Sequence, residues 1–335
     1  MTETLLKVED LVVDFGTRRK PFRAVDVVSL QIKAGETLGL VGESGSGKST
    51  IGRAILGLNP VAEGNITFDG RDITHIEAKD RKDIAENLQV VFQDPYSSLN
   101  PSLTVGQILS EPLMARQKMS NDAARARIQE LLSKVGLPHD AIDRFPSRFS
   151  GGQRQRIAIA RSLALSPKLV ICDEPVSALD LSTQAQVLNL LSDLRGSSNL
   201  AYLFIAHDLA VVKHLSQRIV VLYRGRIMEE GDASEVYNNP SHPYTRALIA
   251  AAPVPNVAEQ KARRAHRAAT VSASSSAILH NAKDGCPFAG RCPFVKDVCK
   301  ESRPAMSTVG TASGSGIVTH AACHAYDPTS GHPGI

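Results

Sequence analysis

The sequence predicts an α/β fold built on a buried parallel sheet, with a helical insertion and a small C-terminal extension. Apolar runs at residues 36–41, 169–172 and 202–206 have the length and composition of strands buried on both faces. Apolar residues recur at helical spacing in two places, first at Ile128, Leu131, Leu132 and Val135, and then at Val187, Leu190, Leu191 and Leu194. Residues 218–223 and 226–230 flank an Arg-Gly pair, which predicts a β-hairpin.

Length and composition limit the classes of protein that fit. A chain of 335 residues exceeds one ordinary domain and indicates a principal domain with an appendage. The formal net charge of +4 is too weak to indicate a nucleic-acid partner. No run of eighteen apolar residues occurs, and residues 1–4 lack the features of a signal peptide. We therefore expect a cytosolic chain that reaches a membrane only through its partners.

Residues 42–49 fit the phosphate-loop pattern G-x-x-x-x-G-K-[ST]. The glycines allow a tight turn whose N–H groups face an anion, and a helix starting near Lys48 adds its positive end. We expect Lys48 to reach the β- and γ-phosphates and the Ser49 hydroxyl to ligate Mg²⁺. The predicted nucleotide contacts in this segment are Gly42, Ser44, Gly45, Gly47, Lys48, Ser49 and Thr50.

Two adjacent carboxylates end the second apolar run, where ligands bind in open α/β sheets. Asp173 is expected to hold Mg²⁺ and Glu174 to polarise the attacking water as general base. Cys172 lies beside them on an apolar strand and is interpreted as a packed core thiol. His207 follows the third apolar run and can reach the γ-phosphate region.

A further segment, Ser150-Gly151-Gly152-Gln153, precedes a helix-compatible stretch and leaves backbone N–H groups for a phosphate. The order of the phosphate loop, this segment, the Asp-Glu pair and His207 resembles the nucleotide-binding subunit of ABC transporters over roughly residues 5–250. Phe149 stands where the family usually has Leu. The resemblance implies a P-loop NTPase core with an antiparallel β subdomain and a helical subdomain at about residues 94–165.

The resemblance also assigns roles to single residues. Gln93 would sense Mg²⁺ and the attacking water, and residues 94–101, predicted as a loop, would contact a membrane subunit. His207 would act as the switch histidine. Ser150, Gly152, Gln153 and Asp180 of this chain would complete the nucleotide site of the facing subunit. A helix cap is the other interpretation of Asp180. Phe15 would stack on adenine, with Phe22 as the rival residue.

The composition changes after about residue 252, so we expect a nucleotide-binding domain at 5–252, a linker at 253–284 and an extension at 285–330. The extension contains Cys286, Cys292, Cys299 and Cys323 in the spacing C-x₅-C-x₆-C-x₂₃-C. Cytosolic cysteines favour a thiolate-ligated metal over disulfides, and the gaps are wider than in most zinc sites. A [4Fe–4S] cluster, zinc and plain reduced thiols remain as alternatives. His320 and His324 are substitute ligands, and residues 307–316 are expected to be a flexible loop.

This extension resembles that of oligopeptide and dipeptide transporter ATPases, in which such cysteines can carry an iron–sulfur cluster. The chain therefore looks like the second ATPase subunit of a peptide importer at the cytoplasmic face of the inner membrane. Its implied partners are two permeases, a second homologous ATPase or another copy of itself, and an external binding protein; dipeptides, oligopeptides, glutathione and nickel chelates all fit as substrates. The alternatives are a soluble ABC ATPase of DNA repair or translation, and a redox sensor.

Overall fold

The computed structural model describes residues 3–17, 20–77, 80–252, 284–312 and 314–335, so the predicted linker lies outside the described residues except for its last position. Within these ranges there are twelve strands and eleven α-helices. The strands are β1 (Thr4–Thr17), β2 (Lys20–Lys33), β3 (Thr37–Val41), β4 (Glu63–Phe68), β5 (Arg71–Asp72), β6 (Leu88–Val91), β7 (Leu169–Asp173), β8 (Ala201–Ala206), β9 (Arg218–Tyr223), β10 (Arg226–Asp232), β11 (Met306–Thr311) and β12 (Val318–Ala322). The helices are α1 (Lys48–Ile55), α2 (Arg81–Asn87), α3 (Pro95–Ser98), α4 (Val105–Gln117), α5 (Asn121–Lys134), α6 (Gly151–Leu163), α7 (Leu181–Ser198), α8 (Leu209–Leu215), α9 (Ala233–Asn238), α10 (Pro243–Ala251) and α11 (Asp297–Glu301).

The chain divides into two compact units. The first comprises Met1–Glu9, Ser29–Thr37 and Gly52–Ala206, and the second comprises Asp10–Val28, Leu38–Ile51 and His207–Ile335. In the described residues, none of the helices is long and apolar enough to cross a membrane.

In the first unit, the strands β6, β7 and β8 pair in parallel, with Ile171 opposite both Val90 and Leu203. Every residue of β7 and β8 is buried, as their unbroken apolar runs predict. The predicted helix at residues 128–135 is the end of α5, whose Ser120 caps the first turn by accepting the Ala123 N–H. The buried strands thus carry the Asp173 and Glu174 segment at the end of β7.

The second unit contains a sheet in the order β11-β12-β10-β9-β3. The predicted hairpin is confirmed, because β9 and β10 pair antiparallel around Arg224 and Gly225. Both residues have a positive φ, +47° and +77°, which suits the tight two-residue turn that matches strand twist. β3 pairs in parallel with β9 and is buried along its whole length, so the phosphate-loop segment follows directly from a buried strand.

The prediction of a flexible loop at residues 307–316 was wrong. Residues 306–311 and 318–322 form the hairpin β11–β12, and β12 continues the sheet by pairing Ala321 with Glu229 of β10. The turn is closed by the Gly316 N–H, which donates to the Ala312 carbonyl at 2.9 Å. Serine, glycine and threonine in this stretch predicted a loop, but a free sheet edge at β10 supplies backbone partners that composition does not reveal.

An aromatic cluster holds the extension within the second unit. Phe288 is 2% exposed, and its ring centroid lies 5.5 Å from Tyr223, 5.4 Å from Tyr244 and 6.0 Å from His242. The contact with Tyr223 is edge-on, the arrangement that aromatic rings favour. The extension is therefore stabilised by ordinary core packing as well as by strand pairing.

We predict that Phe288→Ala will destabilise the second unit by about 3–5 kcal/mol, because it leaves a cavity in the aromatic cluster. The measurement is the loss of hydrogen-exchange protection at residues 306–322. The control is Phe294→Ala in the same extension, since Phe294 is 39% exposed and its loss should change stability much less. Equal effects of the two substitutions would show that the cluster does not anchor the extension.

Candidate functional site

The phosphate loop at residues 42–49 lies between β3 and α1 and passes very close to neighbouring backbone. A Cβ on Gly42 would lie 2.1 Å from the Leu222 carbonyl oxygen, and a Cβ on Gly47 would lie 2.6 Å from that of Ala24. Gly47 also has φ +105°, a conformation that side chains rarely adopt. Glycine is therefore required at both positions for the loop to take this shape. A backbone cradle of this kind suits a polyphosphate.

Lys48, at the start of α1, is almost completely buried, at 4% exposure. Its ammonium donates to the carbonyl oxygens of Gly42 at 2.8 Å and Glu43 at 3.0 Å, so the side chain lies along the loop. Ser49 and Thr50 follow in the first turn of α1 and are half-buried, whereas Ser44 and Gly45 are exposed at the outside of the loop. The loop thus has an ammonium group fixed by hydrogen bonds and, at Ser44 and Gly45, a segment exposed to solvent.

Three contacts from distant residues support the loop, and sequence analysis missed all of them. The Gly225 N–H donates to the Ser46 carbonyl at 2.8 Å, and the Glu43 N–H donates to the Tyr244 hydroxyl oxygen at 2.9 Å. The Arg291 guanidinium donates to both carboxylate oxygens of Glu43, each at 2.9 Å. Tyr244 and Arg291 lie 201 and 248 positions from Glu43, so no local pattern indicates them.

The predicted catalytic carboxylates lie in the first unit. Asp173 ends β7 and is 6% exposed. Glu174 has φ +49°, a strained conformation for a residue other than glycine, and its N–H donates to the Ile205 carbonyl at 3.0 Å. The Gln93 amide Nε2 approaches the Glu174 Oε2 at 3.4 Å, so the structure brings these two predicted residues together. Burial raises the pKa of the Cys172 thiol, as expected for an inert core cysteine.

The segment after Gln93 was predicted as a loop, and this was wrong for four of its residues. Pro95–Ser98 form the short helix α3, with Pro95 at the first helical position, where a missing N–H costs nothing. The Asp94 carboxylate accepts a hydrogen bond from the Tyr96 N–H at 2.8 Å, at the start of this helix. The guanidinium of Arg154 lies 4.2 Å from the centroid of the exposed Tyr96 ring. This cation–π contact connects α3 to α6.

The Ser150–Gln153 segment forms a capping box at the start of α6. The Gln153 N–H donates to Ser150 Oγ at 3.3 Å, and the Ser150 N–H donates to Gln153 Oε1 at 3.0 Å. A Cβ on Gly152 would lie 2.1 Å from Thr183 Cγ2, so the glycine lets α7 approach. Asp180 caps α7 by accepting the Thr183 N–H at 3.0 Å, which confirms the capping interpretation of this residue.

Two predicted residues lie at the surface of the second unit. His207 follows β8 and is exposed, and Phe15 on β1 is 38% exposed. The rival Phe22 on β2 is more exposed, at 62%. The roles of all three in nucleotide binding stay predictions.

The four cysteines of the extension border one small cavity of about 20 Å³, enough for a single water-sized sphere. His242, His324 and His332 border it as well, whereas His320 does not. His324 is 5% exposed, and its Nδ1 has no hydrogen-bond partner among the described residues. Burial raises the pKa of Cys286 to about 11 and that of Cys292 to about 12. In the described part of the chain, no three His, Cys, Asp or Glu side chains are arranged to hold a metal ion.

Comparison with known proteins identifies the family. Residues 25–177 match the family described as ABC transporter, and residues 228–299 match the oligopeptide/dipeptide transporter C-terminal region. The oligopeptide transport ATP-binding protein OppF of Salmonella typhimurium is 45% identical over 314 residues, which cover 91% of this chain and 93% of OppF. The oligopeptide transport ATP-binding protein AppF of Bacillus subtilis is 45% identical, covering 97% of this chain and 98% of AppF. The chain belongs to the ABC transporter family of ATP-binding proteins.

A solved structure agrees with this membership. The dimeric ATP-binding cassette MJ0796, in a post-hydrolysis state with ADP and phosphate, superposes with a TM-score of 0.63 at 30% identity. The superposition covers 68% of this chain and 99% of the MJ0796 chain. The α/β P-loop fold predicted from the sequence is confirmed, and the chain is an ABC ATPase.

We predict that Gly47→Ala will lower the thermal stability of this ABC ATPase strongly in the absence of nucleotide, because its Cβ would press on the Ala24 carbonyl. Gly45→Ala is the matched control. Gly45 also has a positive φ, +77°, but a Cβ there meets nothing within 4 Å, so the loss should be about 1 kcal/mol. Thermal unfolding of both variants makes the comparison, and equal shifts in Tm would contradict a steric requirement at Gly47.

Proposed function

We propose that the chain powers the import of oligopeptides or dipeptides as one ATPase subunit of a membrane transporter. The supporting observation is the 45% identity to OppF and AppF over more than nine-tenths of the chain, together with a matched oligopeptide/dipeptide transporter C-terminal region at residues 228–299. Glutathione and nickel chelates belong to the same proposal as related small substrates. Substrate choice resides in the other subunits.

The proposed complex lies at the cytoplasmic face of the membrane. It contains two permease subunits, a second homologous ATPase, which another copy of this chain can replace, and an external substrate-binding protein. Within the chain we propose a nucleotide-binding domain at residues 5–252, with its helical subdomain at about 94–165. A linker at 253–284 and the extension at 285–330 complete it.

For ATP binding, we propose that Lys48 contacts the β- and γ-phosphates and that Phe15 stacks on adenine. The other phosphate contacts are Gly42, Ser44, Gly45, Gly47 and Thr50. The fit rests on Gly42 and Gly47, whose positions leave no room for a Cβ against neighbouring backbone, and on the buried ammonium of Lys48. Ser49, Asp173 and Gln93 are the proposed Mg²⁺ ligands. When bound, Mg²⁺ would neutralise charge that develops on the transferred phosphoryl group.

For hydrolysis, we propose Glu174 as the general base, Gln93 as the residue that orients the attacking water and His207 as the sensor of the γ-phosphate. The 3.4 Å approach of the Gln93 amide to the Glu174 carboxylate supports a shared water. Ser150, Gly152, Gln153 and Asp180 would complete the site of the facing ATPase subunit. The helix start at Ser150 supports this role, because its N–H groups and the helix dipole favour an anion.

Coupling to the permease is proposed for the segment after Gln93. The exposed Tyr96 on α3 and its stacking partner Arg154 on α6 connect this segment to the helix that starts at Ser150. A movement of α6 on ATP binding would therefore move α3, the proposed permease contact.

We predict that Glu174→Gln will lower ATP turnover of the assembled transporter by roughly 10²–10⁴-fold, since general-base catalysis supplies about that factor. ATP binding should persist, because the substituted amide keeps the size of the side chain. Phosphate release and peptide uptake are measured in reconstituted vesicles. Asp122→Asn on α5 is the matched control, which removes one exposed carboxylate of the same unit.

Wild-type turnover in the Glu174→Gln transporter would remove Glu174 from the base role. The importer proposal itself is tested by purifying the tagged chain from membranes. Two multispanning proteins and a second ATPase should co-purify, and ribosomes or DNA in their place would contradict it.

We also propose that Cys286, Cys292, Cys299 and Cys323 ligate a metal group, with a [4Fe–4S] cluster as the first candidate and zinc as the second. Their common cavity and the unpartnered Nδ1 of His324 support this. Four thiols are chemically suitable ligands, but in the described residues they are not arranged around a metal position and the cavity is too small for a cluster, so the thiols would have to move apart. Because burial raises the pKa of the Cys286, Cys292 and Cys323 thiols, binding must release protons and weaken as the pH falls.

We predict about four irons and four sulfides per chain after anaerobic purification, and loss of the visible absorbance in Cys323→Ser. The control is His320→Ala, which alters the strand beside Cys323 but not the cavity wall. One zinc per chain without sulfide would show that the bound metal is zinc and not an iron–sulfur cluster. A chain without bound metal would leave plain reduced thiols as the interpretation.

A further inference from the structure

In the described residues, Arg291 of the extension makes a direct polar contact with the phosphate loop. Arg291 donates two parallel hydrogen bonds to the Glu43 carboxylate, both at 2.9 Å. Glu43 directly follows Gly42, and its carbonyl oxygen accepts a hydrogen bond from Lys48 at 3.0 Å. A two-point contact of this kind fixes the direction of the carboxylate as well as its distance.

A carboxylate in a phosphate loop is an electrostatic disadvantage. ATP brings several negative charges to the loop, and an unpaired carboxylate within a few ångströms would repel them at ordinary salt. Pairing with a guanidinium removes this repulsion, because the net charge of the pair is zero. The bidentate contact also holds the Glu43 side chain away from other orientations.

Arg291 is itself held in place. It ends the short 3₁₀ turn Ala289–Arg291, and its guanidinium lies 5.5 Å from the ring centroid of Phe288 and 5.8 Å from that of Tyr223. Phe288 is buried in the aromatic cluster, and Tyr244 of the same cluster accepts the Glu43 N–H. Both the backbone and the carboxylate of Glu43 are therefore contacted from this cluster.

We propose that Arg291 is a positioning residue for ATP binding, which neutralises and orients Glu43 so that the phosphate loop accepts the polyphosphate. This inference rests on the proposed role of residues 42–49 in binding the ATP phosphates. It makes the C-terminal extension a part of the nucleotide site.

The test compares full-length variants in the assembled transporter. Arg291→Ala should raise the KM for ATP by roughly 2- to 5-fold, the range expected for loss of one partly exposed charge pair, with little change in kcat. The increase should shrink as salt is raised to about 0.5 M, since the repulsion is screened. Arg303→Ala is the matched control, because it removes one guanidinium of the extension that pairs with Asp26 at 3.7 Å.

The deciding variant is the double substitution Arg291→Ala with Glu43→Gln. If Arg291 acts through charge, removing the carboxylate as well should return the KM towards that of the parent chain. A double variant as weak as Arg291→Ala, with no salt dependence, would overturn the inference and leave a purely structural role.

Lys48→Ala separates this inference from the proposed function. An unchanged KM in Arg291→Ala together with lost ATP binding in Lys48→Ala would overturn only the role of Arg291. Unchanged ATP binding in Lys48→Ala would overturn the assignment of the phosphate loop, and the inference with it.

Discussion

The phosphate loop keeps its shape because distant segments bind its backbone. The Gly225 N–H donates to the Ser46 carbonyl, and the Tyr244 hydroxyl accepts the Glu43 N–H. The absent side chain of Gly47 admits the Ala24 carbonyl. A loop rich in glycine has many conformations in isolation, so these contacts oppose a large entropy cost. The hairpin β9–β10 and the helix α10 are thus structural requirements of the loop, although both lie late in the chain.

Sequence predicted those parts of the fold and site whose signal is local. Continuous apolar runs identified β3, β7 and β8, and the Arg224-Gly225 pair identified the hairpin, because each depends on neighbouring residues only. The glycines and Lys48 were predictable because their spacing reflects one short turn. Arg291 and Tyr244 were not, since an exposed arginine and a tyrosine acquire their role only through long-range packing.

The extension shows why composition misled at residues 307–316. Serine and glycine there suggested a flexible loop, yet β12 pairs with the edge of β10 and Phe288 enters an aromatic core. Both sources of stability need partners outside the extension, namely strand β10 and the rings of Tyr223, His242 and Tyr244. The cysteines therefore border a cavity in a segment that already has a hydrophobic attachment, and metal binding is not required to explain its fold.

One buried carboxylate connects these features. Glu229 on β10 is completely buried, and burial raises its pKa. The cost of burying it is offset by the N–H groups of Ser241 and His242, at 2.7 and 3.0 Å, which it fixes at the start of α10. That start places Tyr244, the partner of the phosphate-loop backbone, while the backbone of Glu229 pairs with Ala321 of the extension. Because one strand residue holds both the helix that supports the loop and the hairpin of the extension, a shift of β10 would reach both of them.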